Sequence, residues 1–173
     1  MVLRPMTEDD WDILVKWNND PDILYYSDGG NVTSHNLQEV QQIYRGVSQN
    51  AFCFMIEVDG VPVGECWLQR MNLKSILEKY PGKDCRRIDL MIGEKSLWGQ
   101  GLGTDAICTL TKFGFDDENA DIIFGLVGDY NLRSVKAFQK AGYRIDARIE
   151  EVPGSKARFS YDLAIRREEY YEE

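Results

Sequence analysis

The segment Trp98-Gly99-Gln100-Gly101-Leu102-Gly103-Thr104 constrains this chain more than any other. Three alternating glycines between a strand-like stretch at 87–92 and a helix-like stretch ending near residue 115 let the backbone approach another molecule closely and turn N–H groups toward one point. The segment carries no charged side chain. An anion held there would rest on amides and on the positive end of the following helix, each contribution being about 0.3–1 kcal/mol at an exposed site. A Walker loop is excluded because no Gly-Lys-Ser/Thr closes the run, and a dinucleotide fingerprint because the glycines are spaced G-x-G-x-G. The plain alternative is a flexible turn before a helix.

Around that segment the periodicities alternate. Residues 2–5 fit a short strand, and Thr7 with Asp10 resembles a capping box opening a helix that runs to about residue 19 and stops at Asp20-Pro21. A turn-rich loop at 27–31 leads to a second helix from about residue 36. Residues 51–58 and 61–68 predict two strands joined by Asp59-Gly60, a strong hairpin signal. Residues 71–86 read as an insertion with one helical turn, and 87–92 as a further strand. Beyond the glycine segment the pattern predicts a helix, a strand at 121–127, a helix at 132–140 stopped by Gly142, strands near 143–149 and 159–165, and a solvated tail. The expected architecture is one α/β (α+β) domain over residues 1–173, with a mixed, mostly antiparallel sheet of about seven strands flanked by about four helices.

Composition narrows the chemistry. A formal charge of −9 repels phosphate backbones, and no basic cluster offsets it, which argues against a nucleic-acid partner. The lone histidine, His35, excludes HExxH and two-histidine zinc sites, and no metal site is expected. Cys53, Cys66, Cys85 and Cys108 form no CxxC pair and read as free thiols. No stretch reaches the roughly 20 apolar residues of a membrane span, and no signal-peptide core opens the chain, so no membrane partner and a cytoplasmic location are expected.

A second motif decides between the readings of the glycines. Asn131-Leu132-Arg133-Ser134-Val135-Lys136-Ala137-Phe138-Gln139-Lys140-Ala141-Gly142-Tyr143 is a bounded helix one strand downstream. Together the two segments resemble the GNAT superfamily of N-acetyltransferases: W-G-x-G-x-G-T looks like its acetyl-CoA pyrophosphate signature, and N-x-R-S-x-x-x-F-x-K-x-G-Y like its second cofactor motif. The resemblance implies acetyl-CoA as co-substrate. Trp98, Gly99, Gln100, Gly101, Leu102, Gly103 and Thr104 would form the pyrophosphate loop, and Met91 and Ile92 would line the pantetheine and acetyl group. Asn131 would bond the pantetheine arm, with Ser134, Ala137, Phe138 and Lys140 near the thiol or nucleotide end. Phe138 departs from the tyrosine many members use to protonate the leaving thiolate, because phenylalanine has no proton to give.

The implied reaction is direct attack of an amine on the thioester carbonyl, with backbone amides steadying the oxyanion. Strand alternation sets Ile88, Leu90 and Ile92 on one face and Asp89 with Met91 on the other, so a carboxylate falls mid-strand beside the expected acetyl site. Asp89 is the expected catalytic and substrate-binding residue; the alternative is a surface pair with Arg87 or a lysine. Glu65, Asp28, Asp129 and Tyr26 are further candidates for the acceptor cleft, with Trp67, Tyr25 and Trp17 as possible walls. The opening Leu3-Arg4-Pro5-Met6-Thr7-Glu8-Asp9-Asp10, Gly60-Val61-Pro62-Val63-Gly64 and the strand around Asp89 look like aminoglycoside 6′-N-acetyltransferases. A small cationic amine is therefore the first expected acceptor. Trp98 and Phe138 keep open a protein N-terminus, as in the ribosomal-protein acetyltransferases, and a non-catalytic acyl-CoA-binding module is the third reading. Either a monomer or a homodimer fits.

Overall fold

The computed structural model describes residues 1–27 and 34–172. Seven strands, β1 (Val2–Pro5), β2 (Ala51–Val58), β3 (Val61–Arg70), β4 (Cys85–Ile92), β5 (Ile122–Gly128), β6 (Arg144–Glu150) and β7 (Phe159–Arg166), form one sheet in the order β1-β2-β3-β4-β5-β7-β6. Every neighbouring pair is antiparallel except β4 and β5. That parallel pairing is short: Cys85, Arg86 and Arg87 meet Ile122, Ile123 and Phe124, and residues 88–92 and 125–128 are not paired with each other. The sheet is thereby split at its centre, leaving one backbone edge of β4 without a strand partner among the described residues, beside the segment that leads to the glycines.

The expected helices at the N-terminal side, after residue 36, after the glycines and at 132–140 are present as α1 (Trp11–Trp17), α3 (Leu37–Val47), α5 (Leu102–Asp116) and α6 (Leu132–Lys140). The helical turn expected in the 71–86 insertion is α4 (Lys74–Lys79), and two further short helices, α2 (Pro21–Ser27) and α7 (Arg167–Glu172), add to the set. Asp20-Pro21 does stop α1, yet it also starts α2. Proline suits a first helical position, and Asp20 Oδ1 accepts from the backbone N–H of Asp22 and Ile23 at 2.9 and 3.4 Å. Tyr25 and Tyr26 consequently stand on a helix. The tail is likewise helical where a solvated end is expected, because Tyr170 packs on Phe115 with ring centroids 5.2 Å apart.

The two faces of the sheet are covered by different helices. Ile88, Leu90 and Ile92 pack with Ala106, Ile107 and Leu110 of α5 and with Val135 and Phe138 of α6. Met91 turns to the other face, among Leu14, Trp17, Ile23, Val40, Tyr44, Met55 and Trp67. α6 lies close against β5 because Gly125 has no side chain: a Cβ there would come 2.4 Å from Phe138 ring carbons. Phe138 is 2% exposed and meets the Tyr143 ring edge-on at 5.0 Å. All four cysteines are free.

Candidate active site

The glycine segment ends in an uncapped helix. Gly99 and Gly101 adopt φ +79° and +94°, a region in which L side chains are strained. Gly101 is the N-cap of α5 and offers no side-chain acceptor, whereas Asn36 and Asn131 use their Oδ1 atoms to cap α3 and α6. The first-turn amides of Leu102, Gly103 and Thr104 therefore have no partner within the helix, and the helix's positive end is open to an external acceptor.

Those residues line a cavity of about 310 Å³ with Leu90, Met91, Ile92, Asn131, Ser134 and Ala137. Arg133, Lys136 and Lys140 of α6 also line it, and among the described residues no acidic side chain does. None of these three cations forms an ion pair within 4 Å among the described residues. Arg133 instead lies over the rings of Trp98 and Tyr26, at 3.9 and 4.5 Å from their centroids. Trp98 is itself fixed by its indole N–H, which donates to the Ile92 carbonyl at 2.7 Å. The positive charge missing from the glycine segment thus arrives from α6, at spacings of three and four residues, a helical pattern visible in the sequence. Orphan amides, three cations and the absence of acids fit the phosphates of coenzyme A.

A second cavity of about 340 Å³ opens on the other side of the split strand. The two cavities share Tyr26, Ser27, Leu90, Met91, Asn131 and Ser134, so they meet at β4. On the floor of the second are Glu65, Trp67, Arg87 and Asp89, with Tyr44, His35 and Tyr130 on its walls. The register explains this grouping. Glu65 faces Met91 and Trp67 faces Asp89 across β3 and β4, and period-two alternation carries all four to one face.

The two carboxylates are held differently. Asp89 accepts from Arg87 Nε at 2.9 Å and Nη2 at 3.2 Å, and from Gln69 Nε2 at 2.5 Å. Glu65 is only 5% exposed, and its Oε1 accepts from the Tyr44 hydroxyl at 3.0 Å. Its Oε2 is buried and completes no hydrogen bond, and neither does the nearby Trp67 indole N–H. Burial pushes the Glu65 carboxyl up to about 8, against the opposing pull of the Tyr44 hydroxyl and then of the nearby Trp67 indole, while the charge of Asp89 adds a smaller upward push.

Several expectations meet the cavities. Ile92, Trp98, Gly99, Gly101, Leu102, Gly103, Thr104, Ala137 and Lys140 line the first, Glu65 and Asp89 the second, and Met91, Asn131, Ser134 and Tyr26 both, whereas Phe138, expected beside the cofactor, lines the second and not the first. Two residues do not. Gln100 points outward, its backbone N–H donating to Leu97 O at 3.4 Å and its side chain to Ser96 O at 2.9 Å. Asp129 is taken up by the loop before β7, accepting from the Arg158 backbone N–H at 3.1 Å, and lines neither cavity. Asp28 lies outside the described residues. Trp17 belongs to the core, 1% exposed, with its indole N–H on Glu94 at 3.1 Å. His35 flanks α3 and exchanges backbone hydrogen bonds with the Asn19 amide. Arg133, Lys136, Tyr44 and Gln69 are the additions that the structure makes.

The family model for the acetyltransferase (GNAT) domain matches residues 1–144. The chain belongs to that family. Its class is that of the acetyl-CoA-dependent N-acetyltransferases. Among curated relatives, aminoglycoside N(6′)-acetyltransferase type 1 of Klebsiella pneumoniae is 26% identical over 148 residues, covering 83% of this chain and 73% of the relative. An uncharacterized N-acetyltransferase, p20, of Bacillus licheniformis is 21% identical over 98% of this chain and 94% of its own. Among solved structures, AAC(6′)-Ib with ribostamycin and coenzyme A superposes with a TM-score of 0.85 at 24% identity, over 98% of this chain and 95% of that one. Spermidine N-acetyltransferase from Vibrio cholerae, with coenzyme A and spermine, gives 0.79 at 16% identity over 98% and 97%. No helix among the described residues is long and apolar enough to cross a membrane.

Proposed function

We propose that this enzyme acetylates a primary amine of a small cationic acceptor of the aminoglycoside kind, which enters the second cavity. The observation that carries the reading is the junction of the two cavities at β4. A groove suited to phosphates on one side meets, at Leu90 and Met91, a chamber floored by two carboxylates on the other. The curated aminoglycoside N(6′)-acetyltransferase relative supports the same acceptor class.

Bound acetyl-CoA supplies the activated acetyl group as a thioester. The open amides of Leu102, Gly103 and Thr104 and the cations Arg133, Lys136 and Lys140 would hold its phosphates, with Asn131, Met91 and Ile92 along its arm. Asp89 draws the acceptor ammonium to the sheet floor and orients it, and Trp67, Tyr44 and Tyr26 enclose the rest of the molecule. Phe138 fills space against Gly125 and contributes no proton.

Thiol release from acetyl-CoA, measured over aminoglycosides, polyamines and peptides with free N-termini, tests the reading. Turnover should be fastest with aminoglycosides, and Asp89→Asn should lower it sharply while leaving coenzyme A binding intact. Turnover confined to peptides would reassign the acceptor to a protein N-terminus. Unchanged turnover in Asp89→Asn would remove that residue from the reaction.

A further inference from the structure

Acetylation of an ammonium removes two of its protons. One ends on the released thiol, and the other must leave through the protein or its water. Asp89 is the less disposed to take it: Arg87 and Gln69 both donate to its Oδ2 and Arg87 also to its Oδ1, which leaves Oδ1 able to accept one further hydrogen bond from the ammonium.

Glu65 is disposed to take it. It faces Met91 across the β3–β4 pair, and Met91 lines both cavities, whereas Asp89 faces Trp67, which lines the second alone. Both carboxylates therefore adjoin the junction, Glu65 across from Met91 and Asp89 next to Leu90 along β4, and they are diagonal neighbours at roughly 7–8 Å. Its Oε2 is the one carboxylate oxygen among the described residues that is buried without a hydrogen-bond partner. Such an oxygen is costly to maintain unless a ligand group, or the Trp67 indole N–H beside it, completes it.

We infer that Glu65 is a second catalytic carboxylate, which accepts through Oε2 the proton that the acceptor ammonium releases, while Asp89 orients that ammonium. The inference rests on the amine-acetylating reading above. In the step, an N–H bond of the ammonium breaks, an O–H bond forms on Glu65, and the electron pair stays on nitrogen as the attacking lone pair. The proton then passes from Glu65 to solvent. Tyr44 holds Oε1, and Glu65 is among the residues that line the second cavity. The titratable and charged groups around it are Tyr44 from α3, Cys53 from β2, Asp89 and Arg87 from β4, and His35 and Tyr130 on the cavity walls. With its carboxyl raised to about 8, Glu65 is matched to an alkyl amine far better than an ordinary carboxylate.

The test is the pH dependence of kcat with two amines that turn over and whose ammonium groups differ in pKa by about two pH units. The activity should rise through the same pH, near 8, with both amines. In Glu65→Gln, which retains an acceptor for the Tyr44 hydroxyl, that rise should vanish and kcat fall on the order of 100-fold, with coenzyme A affinity unchanged by calorimetry. A rise that follows each amine's own pKa, or Glu65→Gln turning over at the wild-type rate, overturns the assignment. The two-amine comparison uses the wild-type protein and decides the matter even if the variant does not fold. Wild type that acetylates no amine of the panel overturns the functional reading and the role of Glu65 with it, whereas active wild type with an equally active variant overturns Glu65 alone.

Discussion

Replacing Glu65 by glutamine should change how stability depends on pH, by an amount that follows from the burial of one carboxyl. The folded protein holds this group at about 8, against an ordinary value of 4.5. Between those values the unfolded chain releases a proton that the folded chain keeps, so unfolding becomes easier as pH rises. The loss of stability begins near 4.5 and is complete above about 8. At about 1.4 kcal/mol per pH unit, that interval corresponds to roughly 5 kcal/mol. Glu65→Gln has no such proton, so its stability relative to wild type should grow by this amount across the interval. Whatever the amide itself gains or costs at the site is independent of pH and cancels in the comparison. Groups titrating elsewhere are common to both proteins and cancel as well. Urea unfolding of both proteins near pH 5 and near pH 9, extrapolated to water, measures the quantity. A stability difference that stays constant between the two pH values would refute the reasoning, since it would mean that the carboxyl ionises in the fold as freely as in the unfolded chain.

Gly101→Val forces a β-branched residue to φ +94° and should cost about 1–2 kcal/mol of stability. Nothing lies within 4 Å of the added Cβ, so the fold should persist while coenzyme A binding, read by calorimetry, is lost. Arg133→Ala and Lys140→Ala should each weaken coenzyme A binding and flatten its dependence on ionic strength; an unaltered salt slope would remove these cations from the phosphate site. Gly125→Ala places a Cβ 2.4 Å from Phe138 ring carbons and should destabilise by about 1–3 kcal/mol, seen as a lowered Tm. An unchanged Tm would show that α6 moves away without penalty.

Local signals carried much of the fold. Asp59-Gly60 turns β2 into β3, with Asp59 at φ 52° and Gly60 at 77°, and Gly142 at φ 91° closes α6 where the sequence places its stop. Alternation along β4 correctly separates Ile88, Leu90 and Ile92 from Met91 and Asp89, because period two is a property of the backbone alone. Where local signals had two uses, the reading was incomplete. Asp20-Pro21 ends one helix and starts another, and only the packing of Ile23 in the core shows that the second forms. Gln100 belongs to the glycine motif, but the turn aims its amide back at Leu97.

The charge balance shows the same division. A chain at −9 has to bind an anionic cofactor, and the glycine segment supplies amides without charge. Arg133, Lys136 and Lys140 supply the charge, and their helical spacing is legible in the sequence although their target is not. That α6 faces the glycine segment depends on the short β4–β5 pairing and on Gly125 admitting Phe138.

By itself the sequence determined the strand and helix periods, the open helix start after Gly101 and the pairing of two motifs, all of which depend on residues near one another in the chain. The tertiary structure alone decided which carboxylate keeps one buried oxygen without a hydrogen bond. Asp89 and Glu65 look equivalent as isolated acidic residues in strands. Arg87 and Gln69 lie across and along the sheet from one, and Tyr44, brought from a distant helix, buries the other. Burial and ion pairing are set by neighbours that meet only when the sheet assembles, so the sequence could not tell the buried carboxyl from the ion-paired one.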